Sequence, residues 1–177
     1  MAADKSRIKS LAYAFALVGF VSTSFSWAGG AYDGTMGPTT ESFSGNIQIP
    51  HTNGTLTGSN LFHSFSSFSI DTGESATFTG PGSVANVISR VTGSDPSTFN
   101  GSLTSLIDLD APGGPAQTGA NFYFINPNGI IFKEGANLNI GGAFTATTSN
   151  YVSLGQDGVY YADPGMQSVL TSSPPSA

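Results

Sequence analysis

Apolar residues in this chain come in short clusters split by Gly, Ser, Thr, Asn and Pro, and after residue 28 they never recur at the spacing of a long amphipathic helix. The pattern predicts strands over 46–49, 65–70, 75–78, 84–91, 102–109, 121–125, 130–132, 138–140 and 143–147, each rich in β-branched or aromatic side chains and bounded by turn formers. Asn53-Gly54, Asn100-Gly101 and Asn128-Gly129 supply residues that tolerate positive φ at tight corners. The first two also begin glycosylation sequons, which in so Asn-, Gly-, Ser- and Thr-rich a chain are read as turns. Ala111-Pro112-Gly113-Gly114-Pro115 reads as a loop or insertion, and 172–177 as a flexible end. Strands this short can close as a hairpin-joined sandwich or barrel. They can also coil into a β-solenoid, each strand stacking on its equivalent one turn later, about 4.8 Å away. Small Ser, Thr and Asn residues suited to ladders favour the solenoid, but the internal repeat is weak and periodicity leaves both open.

The N-terminus follows a different rule. Lys5, Arg7 and Lys9 precede eleven uncharged residues, 11–21, and then Ser22 to Ala28, small and polar apart from Phe25 and Trp27. This is the tripartite layout of a secretory signal peptide over 1–28, with Ser26 and Ala28 as the small residues before a cut after Ala28. As a membrane anchor the apolar run is too short, covering only about half of the roughly 30 Å hydrocarbon core. No Cys is present, which excludes a thiol-linked lipid anchor and disulfide staples alike. The whole chain carries a formal charge of −6; without residues 1–28, two basic residues (Arg90 and Lys133) face ten acidic ones, a charge of −8. Nucleic-acid binding, which depends on neutralising phosphates, is disfavoured, as is binding to anionic lipid.

The residues offer little chemistry. His63 and His51 lack the spacing of a metal site. Asp108 and Asp110 would share one strand face, as a glycosidase carboxylate pair could, but the adjacent Ala111-Pro112-Gly113-Gly114 argues for a solvated strand end. Arg90 is expected to pair with a carboxylate or to cap backbone carbonyls. No catalytic set, no cofactor and no phosphate-cradling loop is found. Phe62, Phe65 and Phe68 fall three apart, yet the intervening Ser residues and Gly73 favour a short, bent strand pair with the rings in the core. Asn126-Pro127-Asn128-Gly129-Ile130 reads as a corner between two apolar strands, with Pro127 fixing φ, Gly129 free to be left-handed, and both Asn side chains able to bond backbone groups.

Three ordered stretches carry a resemblance: Asn60 through Ile70 (NLFHSFSSFSI), Ala85 through Gly93 (ANVISRVTG) and Ala120 through Phe132 (ANFYFINPNGIIF), continuing through Ala136 to Phe144. They resemble the N-terminal haemagglutination activity domain of filamentous haemagglutinin-type exoproteins, the secretion domain of two-partner secretion substrates. The resemblance covers about 45–151. It implies an all-β fold, a right-handed single-stranded parallel β-helix with an N-terminal cap. It divides the chain into a signal peptide (1–28), the secretion domain (29–160) and a flexible or truncated end (161–177). It also implies export by the Sec machinery, removal of the leader by signal peptidase, and recognition by periplasmic POTRA domains of an outer-membrane barrel transporter. Folding outside a Gram-negative cell follows, with host or neighbouring-cell receptors as later partners. Asn126, Pro127, Asn128, Gly129 and Ile130 are the expected secretion and folding motif. Phe62, Phe65, Phe68 and Ile70 are the expected core and transporter-recognition region. An Asn-Pro-Asn-Leu signature found in some members is absent, which bears on subgroup. The competing readings are a β-helix polysaccharide-active enzyme, a stand-alone surface adhesin, and an outer-membrane barrel; the strands are too short and clustered for the last.

Overall fold

The computed structural model describes residues 29–107 and 119–176. The leader, Asp108, Asp110 and the 111–115 loop lie outside the described residues. In chain order the strands are β1 (Gly29–Tyr32), β2 (Ser42–Phe43), β3 (Asn46–Pro50), β4 (Thr55–Thr57), β5 (Asn60–Ser69), β6 (Ser75–Gly80), β7 (Asn86–Val91) and β8 (Ser97–Phe99). They continue with β9 (Ser102–Ile107), β10 (Asn121–Ile125), β11 (Ile130–Phe132), β12 (Asn137–Ile140), β13 (Phe144–Thr147), β14 (Tyr151–Leu154), β15 (Gly158–Tyr161) and β16 (Pro175–Ser176).

The chain visits the same three sheets in rotation. β5, β7, β10 and β13 pair in parallel, as do β3, β6, β9 and β12, and β8 with β11. An isolated parallel bridge, Ile70 to Phe99, sets Ile70 into the third stack. Stacked Asn residues mark the turn lengths. Asn60 and Asn86 are 26 apart, Asn86 and Asn121 are 35 apart, and Asn121 meets Ala143 after 22. Turns this unequal explain why the repeat is faint in the sequence.

Pairing is antiparallel at both ends, so the sheets are mixed and the single parallel coil implied by the resemblance accounts for only part of the fold. β1 and β4 share one edge of β5, β1 against Phe65 to Ser69 and β4 against Asn60 to Phe62, and β2 lies on β1. Covering that edge satisfies backbone groups that would otherwise template foreign strands. β14, β15 and β16 form a separate antiparallel sheet. The 172–176 stretch, expected to be flexible, is therefore held: Pro175 and Ser176 pair with β14.

Inside the coil, Leu61, Phe65, Phe68, Val87, Val91, Phe122 and Phe124 meet Ile49, Ala76, Phe78, Leu103 and Ile107 from the facing stack, with Phe99 from the third. Phe rings interlock along the axis, Phe78 with Phe122 at 4.7 Å and Phe68 with Phe124 at 5.4 Å between centroids. The outer face of the β5–β7–β10 sheet is apolar too. Phe62, Ile88 and Ile125 pack beneath Val152, Leu154, Tyr160 and Ala162 of the terminal segment. Hence every residue of β7 is buried, and its polar Ser89 and Arg90 lie in the interior.

The three-residue spacing of Phe65 and Phe68 has a backbone cause. β5 is one strand, not a bent pair, and its register against β1 shifts between Ala31 and Tyr32, whose partners are Ser67 and Phe65. The extra residue, Ser66, is the signature of a β-bulge. It leaves Ser66 and Ser67 exposed while Phe65, Phe68 and Ile70 all reach the core. Phe62 is buried as well, but in the outer cluster.

Of the three Asn-Gly corners, only that at Gly129 takes a positive φ, 121°. Gly54 sits at φ −132°, extended. Gly101 is required by crowding instead: a Cβ there would lie 2.4 Å from the carbonyl oxygens of both Asp71 and Glu74.

Candidate functional site

The Asn126 corner joins β10 to β11 and is sewn to the preceding turn of the coil. Asn126 is fully buried. Its Nδ2 donates to the Asp95 carbonyl (3.1 Å) and to Ser97 Oγ (3.0 Å), while its Oδ1 accepts from the Asn128 backbone N–H (3.0 Å). Its backbone N–H donates to the Thr147 carbonyl one turn later, and its own carbonyl accepts from Gly129 N–H. One side chain therefore closes an Asx turn and ties 93–97 to 126–129. Asn128 donates from Nδ2 to the Gly93 carbonyl at 2.7 Å and is itself exposed. Pro127 and Asn128 border a surface groove of about 300 Å³ shared with Thr92, Gly93, Ser94 and Asp163. Ile130, half-buried, packs on the inner core.

The ladders expected of small polar residues take a specific form at one corner of the coil. Asn60, Asn86 and Asn121 head β5, β7 and β10 and form a ladder: Asn86 Nδ2 donates to Asn60 Oδ1 (2.8 Å), and Asn121 Nδ2 to Asn86 Oδ1 (3.0 Å). At one end Asn60 Nδ2 donates to the carbonyls of Thr171 and Ser173; at the other, Asn121 Oδ1 accepts from Ala143 N–H. The signal was present as Asn followed by two apolar residues, in Asn60-Leu61-Phe62, Asn86-Val87-Ile88 and Asn121-Phe122-Tyr123.

Arg90 joins three parts of the chain. It is 2% exposed and donates from Nε to Ser64 Oγ (2.7 Å), from one terminal nitrogen to the Tyr161 carbonyl (2.6 Å) and from the other to Thr35 Oγ1 (2.8 Å). Its guanidinium carbon lies 4.7 Å from the centre of the Tyr160 ring, a cation–π geometry. Of the two roles expected for it, carbonyl capping is present, and the carboxylate is reached indirectly. Ser64 Oγ and Thr92 Oγ1 donate to Asp33 Oδ2, and Thr35 donates its N–H and hydroxyl to Oδ1. Partial burial acts to raise the Asp33 pKa, but hydrogen bonds from Ser64, Thr35 and Thr92 outweigh it and hold the carboxyl below its ordinary value. Tyr160, its phenol pushed upward mainly by burial, donates to the His63 carbonyl at 2.9 Å.

Among the described residues no group of three or more His, Asp or Glu side chains is placed to hold a metal ion. His63 lies in the core, stacked on Phe65 and edge-on to Phe78. What the arrangement does is lock successive turns, the N-terminal strands and the terminal hairpin into one unit. No curated protein sequence and no solved structure gives a match to this chain. The profile of the TPS secretion domain, the secretion domain of two-partner secretion systems, does match over residues 29–174, and the chain belongs to that family.

Proposed function

We propose that this chain is the export and fold-nucleating module of a two-partner secretion exoprotein, recognised by the POTRA domains of its outer-membrane barrel transporter. A TPS secretion domain marks an exoprotein that a partner transporter secretes. In this reading residues 1–28 direct the chain to the Sec machinery, signal peptidase cuts after Ala28, and the parallel stacks between Asn46 and Thr147 wind as a right-handed β-helix between the antiparallel N-terminal cap and the antiparallel terminal hairpin. Asn126 to Ile130 act as secretion and folding motif. The β5 strand carrying Phe62, Phe65 and Phe68, with Ile70 just beyond it, presents itself to the transporter before folding buries it. Surface adhesion, as in filamentous haemagglutinins, is a property of whatever passenger follows.

The observation that carries the nucleation role is the asymmetry of the coil. In the β5 stack the first edge is closed by β1, β2 and β4, whereas β13 at its other end, like β12 and β11, is the last strand of its stack among the described residues. The final turn exposes Ile131, Phe132 and Leu138. Open parallel edges with apolar side chains are a template for the next turn.

A fusion tests the reading: an unrelated β-solenoid passenger joined after Ala177 is expected to reach the medium, protease-resistant, only in cells that carry the transporter. A fusion that reaches the medium equally in cells lacking the transporter contradicts it.

A further inference from the structure

His63 is the largest of the interior side chains, with Ser89 and Ser105, whose buried polar atoms lack a well-formed hydrogen bond. Alternation along β5 turns its side chain inward with Leu61 and Phe65, while Ser64 faces out to Arg90 and Asp33. The imidazole is fully buried, 5.3 Å from the Phe78 ring and 6.1 Å from the Phe65 ring; neither ring nitrogen makes a hydrogen bond of good geometry, and the Asn53 backbone offers only a weak contact. Gly54 closes over it: a Cβ on that residue would come within 2.9 Å of Cε1. Beside it in register on β7, the Ser89 hydroxyl is also buried and unpaired. An apolar residue would pack here without leaving polar atoms unsatisfied, a cost of about 1–3 kcal/mol for each such group.

We propose that His63 is an acid-sensitive latch in the core, packing only as the neutral imidazole, so that acidification drives the coil toward its unfolded form. The imidazole is shut off from solvent, and among the described residues no carboxylate acts on it to pair with an imidazolium. The titratable side chain that acts on it is His51, from the 51–53 turn; Phe65 of its own strand, Phe78 of β6 and Ser89 of β7 carry no charge. Tyr160 reaches only its backbone carbonyl, from the opposite face of the sheet, where Asp33 and Arg90 also lie. Burial pushes the imidazole down from 6.5 to about 3; the Asn53 backbone opposes this in part, and His51 adds to it.

The sign follows from linkage. Below 6.5 the unfolded chain takes up a proton that the folded chain refuses, so the stability His63 permits is complete above 6.5 and drains away as pH falls toward 3. Asp33, held below its ordinary 3.8, loses its contribution only in stronger acid. The window from pH 6.5 to 4.5 therefore belongs to His63. Each unit of pH in it raises the unfolding constant about tenfold, or about 100-fold at pH 4.5 relative to neutral pH. The inference rests on the fold and holds whatever partner the chain meets.

Urea unfolding of the full chain at pH 7 and pH 4.5, beside His63→Leu, tests it. The native chain is expected to show the 100-fold rise and His63→Leu a rise of less than about tenfold. An equal rise in both, or a rise abolished in His51→Gln instead, overturns the proposal. If His63→Leu fails to fold, NMR of the histidine rings in the native chain decides. Resonances of His63 that stay neutral to pH 4.5 while the chain is folded support the latch, and titration near 6.5 in the folded state overturns it.

Discussion

Replacing Arg90 with Ala is expected to lower the unfolding free energy by about 3–5 kcal/mol, the scale for removing one member of a buried charged network. The guanidinium bonds Ser64 in the coil, Thr35 in the N-terminal region and Tyr161 in the terminal hairpin, and lies beside the ring of Tyr160. Each bond to a charged donor is worth about 1.5–3 kcal/mol, and the Tyr161 carbonyl and two hydroxyls lose that donor at once. Arg90→Lys does not rescue the loss, because one ammonium cannot reproduce three donors fixed in a plane. Urea denaturation followed by circular dichroism reads the effect. Loss of the β14–β15 hairpin before the coil, seen by hydrogen exchange, would be its structural trace. A change below about 1 kcal/mol would mean that the hydroxyls and Asp33 hold the three parts together unaided.

Asn126→Ala is expected to cost about 2–4 kcal/mol and to lower secretion. The substitution strands the buried Ser97 hydroxyl, at about 1–3 kcal/mol, and removes the bonds to the Asp95 carbonyl and the Asn128 N–H, whose exposed residues turn to water at about 0.5–1.5 kcal/mol each. Asn126→Asp separates the parts of this role. The carboxylate still accepts from Asn128 N–H but cannot donate to the Asp95 carbonyl, so it recovers the Asx turn without the tie to the previous turn of the coil. Because Asn126 is fully buried, a secretion defect in a folded variant acts through the turn it builds. Direct transporter contact from this motif would fall to Pro127 and Asn128, which border the groove. Normal secretion of Asn126→Ala would remove any essential role for the corner.

What could be read in advance follows the range of the interactions involved. Strands β10 and β11 were legible to the residue, since an apolar burst, Asn-Pro-Asn-Gly and a second burst are local instructions. The first half of β5 was not. His63 and Ser64 break the apolar run, and their burial depends on Phe78, Arg90 and Asp33, which only the coil brings near. The tail looked flexible for the same reason: Thr171 and Ser173 are fixed by Asn60, 111 and 113 residues away. The hairpin of β14 and β15 was legible in principle, as alternating Tyr151-Val152-Ser153-Leu154 and Val159-Tyr160-Tyr161 flank Gly155-Gln156-Asp157-Gly158. Arg90 was expected to pair with a carboxylate or to cap backbone carbonyls; the Tyr161 carbonyl fulfils the second, while hydroxyls relay it to Asp33 in place of a direct carboxylate. Gly101 was read for its dihedral freedom, when the demand on it is close approach of two carbonyls.

In the proposed function, export of this chain depends on a dedicated partner. The most direct measurement is the fraction of pulse-labelled chain that reaches the culture medium in cells expressing it with and without the cognate POTRA-bearing barrel. With the transporter present, abundant folded chain is expected in the medium; without it, retention and degradation in the periplasm are expected. Equal release from both strains would contradict it.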